Sequence, residues 1–500
     1  MTRVRQMARP WRVVLLVLAL LTFGGLTHAG RRAVEREIAD GTFGLTPRSA
    51  LRGLRAYLTN EDDMQRCHAY AQAILGRSYR SYFVRSRAEW EPVFARGIHE
   101  DPDATPMVQS PAPLRPYQDF LLEYPPGFLL VLIPPALVAH TEDGYALGFK
   151  LEMAASWLLA VWIALRLARE LGIAGDDQRR IPTLFGVAIL AIGMVATHRY
   201  DAFVAMCMLA AVLAAVRGRA GLAGLILGVG VAAKGVPLLL APLLALFVYE
   251  RARDWRPAAR FIGALLAIAG GALAATYAAY GPGVLEAFAY HHDRPVQIES
   301  TPGALLAVGT WFRPGFVTVV HSFSSRNLRG PAVDAVGGVA GAVTVLGLLA
   351  AVVWLLVRLR AERDPQARLW TIIDGAVILL AGYVTLGKVF CPQYLVWPLP
   401  FAVLSSLRPG RGVARRRAGL ALLVATQLIY PIAYGAVKAL APWATALVLA
   451  RNLGVLVWAV TLLRPAHAPA PDAADSPTST PSWTPRPPEA PWTDSGVASL

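Results

Sequence analysis

Charge is scarce in this chain. Only 16% of its 500 residues are Asp, Glu, Lys or Arg, where a soluble domain carries about a quarter. Set against 55% hydrophobic residues, that shortage excludes the two or three globular domains that length alone would imply. Cysteine is scarcer still. Cys67, Cys207 and Cys391 lie far apart without metal-ligand spacing, which excludes a disulfide framework and a zinc centre. No soluble α/β region and no DxD motif in a cytoplasmic domain is visible, so the chain shows no apparatus for a nucleotide sugar. No repeat of solenoid type is evident.

What the chain has instead is long apolar runs. Segments of about 20 apolar residues recur, each sufficient to span a bilayer. The expected spans are 11–30, 146–168, 182–197, 202–216, 221–233, 236–249, 259–280, 335–357, 371–389, 393–406, 418–437 and 442–463. The fold class is therefore an all-α polytopic integral membrane protein of about 12 transmembrane helices. Arginine accounts for much of the +15 net charge, and it clusters in the short polar connections. Arg3/Arg5/Arg9/Arg12, Arg166/Arg169/Arg179/Arg180, Arg217/Arg219, Arg251/Arg253/Arg256, Arg358/Arg360/Arg363 and Arg408/Arg411/Arg415/Arg416/Arg417 mark the cytoplasmic side. That arrangement reads as topology, not as nucleic-acid binding. It puts a multi-pass protein in the plasma membrane with both termini cytoplasmic. The opening "MTRVRQMARPWR" and the run after it also resemble a signal peptide ending at "THAG", but the run exceeds a usual h-region and reads as an uncleaved first helix.

One segment disturbs the count. Residues 126–139, "PGFLLVLIPPALVA", are short and broken by Pro134-Pro135. A full crossing there would place every basic cluster from Arg166 to Arg256 outside. The segment is expected to be re-entrant or partial, which is tolerated where protein covers the broken backbone. The chain then divides into a cytoplasmic segment and first helix (1–30), an extracytoplasmic loop (31–125), a multi-span domain (126–463) and a tail (464–500). The tail is dominated by Pro, Ala, Ser and Thr and cannot bury a core, so it is expected to be disordered and cytoplasmic.

Ionisable residues at a membrane edge are expensive and point to function. On this topology they converge on the outer face. Asp63 and His68 lie in "EDDMQRCHAYAQAILGRSY", and Asp119, Glu123 and Tyr124 in "PYQDFLLEYPPG". Arg199 and Asp201 lie in "HRYD", and Lys234 in "GVAAKGVPLL". "YHHDRPVQIES" holds His291, His292, Asp293, Arg294, Gln297 and Glu299, and "GKVFCPQYLVW" holds Lys388, Gln393 and Tyr394. Each has a plainer reading. Asp63 can be a helix N-cap, Lys234 can snorkel to the interface, "HRYD" can be a local Arg–Asp pair, and "YHHDRPVQIES" a solvated loop. The His pair lacks metal-site spacing.

Taken together, the set describes a site. Lys234, Arg199, Arg294 and Lys388 suit a phosphate whose lipid tail stays in the bilayer. A carboxylate among Asp63, Asp119 and Glu123 takes a proton from a hydroxyl acceptor while the cations stabilise the departing phosphate. Tyr124, His291, His292, Gln297, Glu299, Gln393 and Tyr394 are the candidates for substrate contact. This is sugar transfer from a polyprenyl-phosphate donor to a glycolipid or polysaccharide acceptor, with no cofactor or metal assigned. The alternative is a transporter or lipid flippase, which calls for paired broken helices and an inverted repeat. One broken pair is present, at Lys234, and no second copy.

The same stretches carry a family resemblance. "DMQRCHAYAQAILGRSY", "RPYQDFLLEYPPG", "RYDAFVAMCMLAAVLAAVRGRAGLAGLILGVGVAAKGVPLL", "RPVQIES" and "KVFCPQYLVWPLP" together resemble the family 87 membrane glycosyltransferases. These belong to the C-type (GT-C) superfamily of polyprenyl-phosphate-dependent enzymes, and the likeness runs over roughly residues 60–405. It implies a GT-C-like helix bundle with a large first extracytoplasmic loop. It also implies a catalytic Asp early in that loop, which falls by position on Asp63, with Asp119 and Glu123 as supporting residues. Mannose or arabinose is the sugar the resemblance implies.

Overall fold

The structure, a computed structural model, describes residues 62–80, 84, 107–109, 112–410 and 413–463. The expected first span, the N-terminal arginines, most of the loop between 31 and 111, and the tail from 464 lie outside the described residues. Within them the chain is overwhelmingly helical, as its composition requires. The strands form two short antiparallel pairs, β1 (Ser78–Arg80) with β2 (Met107–Gln109) and the hairpin of β3 (Thr318–Ser322) with β4 (Ser325–Arg329).

The first helix, α1 (Asp62–Ile74), is packed inward along almost its whole length, with Met64 to Ala73 buried. The apolar segment that follows forms a 3-10 turn, Pro126–Phe128, and α2 (Leu129–Val138), which contains Pro134 and Pro135. Then comes α3 (Glu142–Glu170), started by Thr141, whose hydroxyl accepts from the Gly144 N–H at 3.1 Å. At 29 residues it is roughly 43 Å long. Among the described residues five helices are long and apolar enough to cross a membrane: α3, α8 (Trp255–Tyr280), α11 (Val333–Ala361), α12 (Pro365–Leu386) and the closing stretch Pro442–Leu463.

The remaining helices are shorter or interrupted. Helix α4 (Ile181–Ile192) stops at Gly193, which adopts a left-handed φ of 70°, and a single turn Val195–His198 completes it. Helices α5 (Asp201–Val216) and α6 (Ala220–Ala233) follow, then a 3-10 turn running into α7 (Ala241–Ala252). On the far side of α8 lie α9 (Glu286–Asp293) and α10 (Thr301–Phe312). Helix α12 is followed by the turn Pro392–Val396 and α13 (Leu399–Ser405), then by α14 (Val413–Gln427) and α15 (Pro442–Val460). Most described helices sit within a few residues of the spans expected from hydropathy; the span expected at 418–437 instead breaks after Gln427, at the turn Leu428–Ile432 that contains Pro431.

The two ends of the bundle differ in charge. One gathers the arginine-rich connections. There Arg217 pairs with Glu170 at 3.0 Å, Arg253 with Glu250 at 2.9 Å and Arg408 with Asp374 at 2.6 Å. The other end gathers α1, the start of α3, the N-terminus of α5, the C-terminus of α6, and the turns around residues 294–300 and 387–394.

Residues 126–138 belong to this second end throughout. Gly127 lies so close to α6 that a Cβ on it would meet the Ala232 carbonyl carbon at 2.5 Å, beside Lys234. At the other terminus of α2, Arg77 donates to the Ala136 carbonyl at 2.7 Å. Just beyond, Arg80 reaches Glu142 at 2.6 Å. Both ends of the segment are thus packed against residues of this second end. The Tyr145 hydroxyl donates to the Leu132 carbonyl at 3.0 Å and holds the segment to α3.

The closest helix pair is α6 against α8. A Cβ on Gly224 would overlap the Phe261 carbonyl oxygen, and one on Gly228 would meet the Ile268 Cβ at 2.9 Å. Small residues four apart let two backbones approach where lipid supplies no hydrophobic drive. Gly224→Ala is expected to lower stability by about 1–3 kcal/mol through overpacking. Gly221→Ala, with nothing within 4 Å of the added atom, is the matched control. Thermal unfolding of both variants in the same detergent checks this, and equal melting of the two contradicts it.

Candidate active site

Asp63 stands in the first turn of α1, and Arg66 one turn further on shares its face. Arg66 Nη2 meets Asp63 Oδ1 at 2.8 Å, while its Nη1 meets Glu123 Oε1 at 3.0 Å. One guanidinium thus bridges two carboxylates drawn from segments sixty residues apart. The Tyr70 hydroxyl donates to the second Glu123 oxygen at 2.8 Å. Arg199, at the end of the Val195–His198 turn, pairs with the other Asp63 oxygen. Burial by itself raises the Asp63 carboxyl. Arg199 and Arg66 more than reverse that, with Arg294 adding to them, and hold it below the usual carboxylate range. Asp63 is thus an ionised carboxylate, 23% exposed, at the edge of a buried network.

A second pair sits beside the first. Asp201 opens α5 and is 1% exposed, and its Oδ1 accepts from Lys234 Nζ at 2.7 Å and from the Trp397 indole N–H at 2.5 Å. Lys234 closes α6. Its ammonium lies 4.6 Å from the Tyr200 ring centroid, 5.1 Å from Trp397 and 5.6 Å from Tyr394, a set of faces that attract a cation more strongly as water is removed. Tyr394 stacks on Trp397 at 4.3 Å, and Tyr124 meets Tyr200 edge-on at 5.3 Å. "HRYD" is therefore not a local pair. Its arginine serves Asp63 and its aspartate serves Lys234.

Arg294 completes the cluster on different terms. It is buried, its Nη2 donates to the Cys391 sulfur at 3.8 Å, and its Nε has no hydrogen-bond partner. Among the described residues no carboxylate forms an ion pair with it. Its charge reaches both the Asp63 carboxylate and Tyr394. Tyr394 is thus the neighbour it shares with Lys234.

The backbone around Arg294 is fixed by its own neighbours. Gln297 donates from Nε2 to Cys391 Sγ at 3.3 Å and accepts from the Phe390 N–H at 2.8 Å, and its backbone N–H donates to the Lys388 carbonyl at 3.0 Å. It straps two turns together. Glu299 is buried, with its carbonyl accepting from Asn452 at 3.0 Å and from Arg451 at 3.4 Å. Burial pushes its carboxyl up to about 7, against the opposing charges of Arg451 and Arg294.

The other expected residues occupy the rim. Asp119 is held in a local turn by Arg115, which binds it through its backbone N–H at 2.7 Å and its guanidinium at 3.0 and 3.1 Å. It makes no described contact with Asp63 or Glu123. Lys388 donates to the His292 carbonyl at 2.6 Å. His292 pairs with Asp293 at 2.9 Å on an exposed surface, and the His291 ring packs edge-on against Tyr290 at 5.3 Å. Gln393 is half-buried beside Tyr394. Among the described residues no group of three His, Cys, Asp or Glu is placed to hold a metal ion.

Sequence reasoning passed over Arg66, Tyr70, Tyr200 and Trp397. The first two had a signal in their spacing, since positions 63, 66 and 70 share one helix face. Tyr200 and Trp397 had none, because their role is to surround a lysine that only the fold brings to them.

A bundle of membrane-crossing helices with a buried ionic and aromatic site at one end defines a polytopic membrane enzyme. The chain belongs to glycosyltransferase family 87, whose model matches residues 120–388, more than half its length. That match begins after Asp63 and ends before Gln393, so it is shorter at both ends than the motif likeness. Among solved structures, the crystal structure of ArnT from Cupriavidus metallidurans bound to undecaprenyl phosphate aligns at 16% identity over 68% of this chain, with a TM-score of 0.36. The alignment spans 66% of that protein, just under two thirds. No curated protein matches the chain.

Arg66 bridges two carboxylates, so its loss leaves Glu123 without an ion-pair partner among the described residues and leaves Asp63 to Arg199 alone. Removing one partner of such a network costs about 3–5 kcal/mol. Arg66→Met is expected to lower the unfolding temperature far more than Arg115→Met, which frees only the rim residue Asp119. Differential scanning in detergent checks this, and similar shifts for the two variants contradict it.

Proposed function

We propose that this family 87 glycosyltransferase takes its sugar from a polyprenyl-phosphate donor and passes it to a lipid or polysaccharide hydroxyl on the extracytoplasmic face. The observation that carries this reading is Arg294, a buried guanidinium with no carboxylate partner among the described residues, set within reach of Asp63. A buried cation left without a counter-charge is costly, and a phosphate arriving from the membrane supplies one. The positive-inside rule, applied to the arginine-rich end, puts the site outside.

The chemistry follows from the two carboxylate environments. Asp63 is ionised and reaches the edge of the network, so it accepts the proton of the acceptor hydroxyl as that oxygen bonds to the anomeric carbon. The bond from that carbon to the phosphate oxygen breaks, and the electron pair stays on the phosphate. Arg294 stabilises the charge that grows there. Arg199 and Arg66 hold Asp63 in position and keep it charged. Lys234 is already balanced by Asp201, so it contributes a directed N–H more than net charge. Tyr394 and Trp397 offer flat faces suited to a sugar ring, and a hexose such as mannose or a pentose fits that chemistry. Glu123 is enclosed by Arg66 and Tyr70 and supports the network from behind.

Right-side-out membrane vesicles given donor from outside test the reading. Wild-type protein should transfer sugar, and Asp63→Asn should reduce turnover by about a hundredfold or more. Asp119→Asn should stay close to wild type, because Arg115 holds that carboxylate on the rim. Near-normal turnover in Asp63→Asn, or a dead Asp119→Asn, removes Asp63 from the base role. Absence of transfer by sealed wild-type vesicles that regain it when opened overturns the assigned face.

A further inference from the structure

A second feature lies towards the arginine-rich end, away from the ionic cluster. Helices α4, α13, α14 and α15 leave an apolar cleft of about 320 Å³ between them, walled by Leu184, Leu399, Leu423, Val455 and Trp458. At its mouth stand Arg415, Arg416 and Arg417. Arg415 is committed, since its Nη2 donates to the Thr461 carbonyl at 2.9 Å. Its own carbonyl accepts from the Trp458 indole N–H at 3.2 Å, which fixes that ring in the wall. Arg416 and Arg417 have no ion-pair partner among the described residues.

We infer that this cleft binds an anionic phospholipid, with one acyl chain along the apolar wall and the headgroup phosphate on Arg416 and Arg417. The argument is one of matching. An apolar space in a membrane protein offers water too few polar partners to hold it, so the occupant is a hydrocarbon. Two guanidiniums at the mouth then select an anion at the end of that hydrocarbon, and guanidinium to phosphate is a geometrically favoured pairing. The chain's own apolar run 13–30 is led by Arg3, Arg5, Arg9 and Arg12 and followed by Arg31 and Arg32 before its first acid at Glu35, so it brings basic flanks to the arginines. Residues 464–500 contain acids but no apolar run. A neutral phospholipid fills the wall and leaves the arginines unanswered.

The site is independent of the transfer reaction, and its test uses binding alone. Full-length protein in detergent is titrated with phosphatidylglycerol carrying brominated acyl chains, which quench a neighbouring tryptophan. Subtracting the signal of Trp458→Phe isolates the cleft. The expected result is saturable quenching of Trp458 by phosphatidylglycerol. Brominated phosphatidylcholine should require higher concentrations, by about fivefold for each arginine engaged. The double variant Arg416→Gln/Arg417→Gln should lose about twenty-five-fold in half-saturation and no longer distinguish the two lipids. Native mass spectrometry of the unmodified protein, counting retained phosphatidylglycerol against phosphatidylcholine, gives the same comparison without any variant. Equal retention of the two lipids overturns the inference. So does an absence of Trp458 quenching, the result expected if residues 11–30 of this chain fill the cleft.

Discussion

Arg66 is the tie on which the site depends. A helix that precedes the described crossings, α1, is drawn against the bundle because its guanidinium stands between Asp63 and Glu123. Two acids and one base enclosed together leave a net negative charge, which Arg199 from the bundle then answers. The network is closed only when the loop, the turn carrying Glu123 and the end of the Val195–His198 turn are all in place. Each buried charge is uncompensated without the others, so the geometry of Asp63 is a consequence of folding as a whole.

The cations of the site are not equivalent, and the difference assigns their work. Lys234 has a carboxylate at 2.7 Å and three aromatic rings around it. Arg294 forms no ion pair among the described residues; its side chain donates to the Cys391 sulfur, and its charge is felt at Asp63 and Glu299 without direct pairing. An anion entering this space gains far more from the second than from the first. The strap formed by Gln297 and the anchoring of Glu299 on α15 fix the turn that carries Arg294, and burial raises the Glu299 carboxyl to about 7.

Much of this was legible in the residues. Hydropathy placed the helices because lipid admits few alternatives to an apolar run, and the arginine clusters separated the two ends. The segment at Pro134-Pro135 was legible as short and proline-broken, and it forms a 3-10 turn and a ten-residue helix that contains both prolines. Asp63, Glu123, Arg199, Lys234 and Arg294, singled out as ionisable groups where lipid or burial penalises them, are brought together in one cluster. What stayed hidden were pairings across the fold. Nothing at residue 201 announces that its partner is at 234, and nothing at 397 announces a hydrogen bond to 201. Asp119 shows the converse, a carboxylate whose position near an apolar run looked functional and whose actual partner is four residues away.

The central claim is that a phosphate delivered by a lipid completes the charge of Arg294. The most direct measurement supplies purified protein with polyprenyl-phosphate sugars and, separately, with nucleotide sugars, and follows transfer to lipid or polysaccharide acceptors. Transfer from the polyprenyl-phosphate donor alone, with Arg294→Gln raising the donor concentration for half-maximal rate more than Lys234→Gln, is the predicted result. Transfer from a nucleotide sugar, or a donor requirement that Arg294→Gln leaves unchanged, would contradict it.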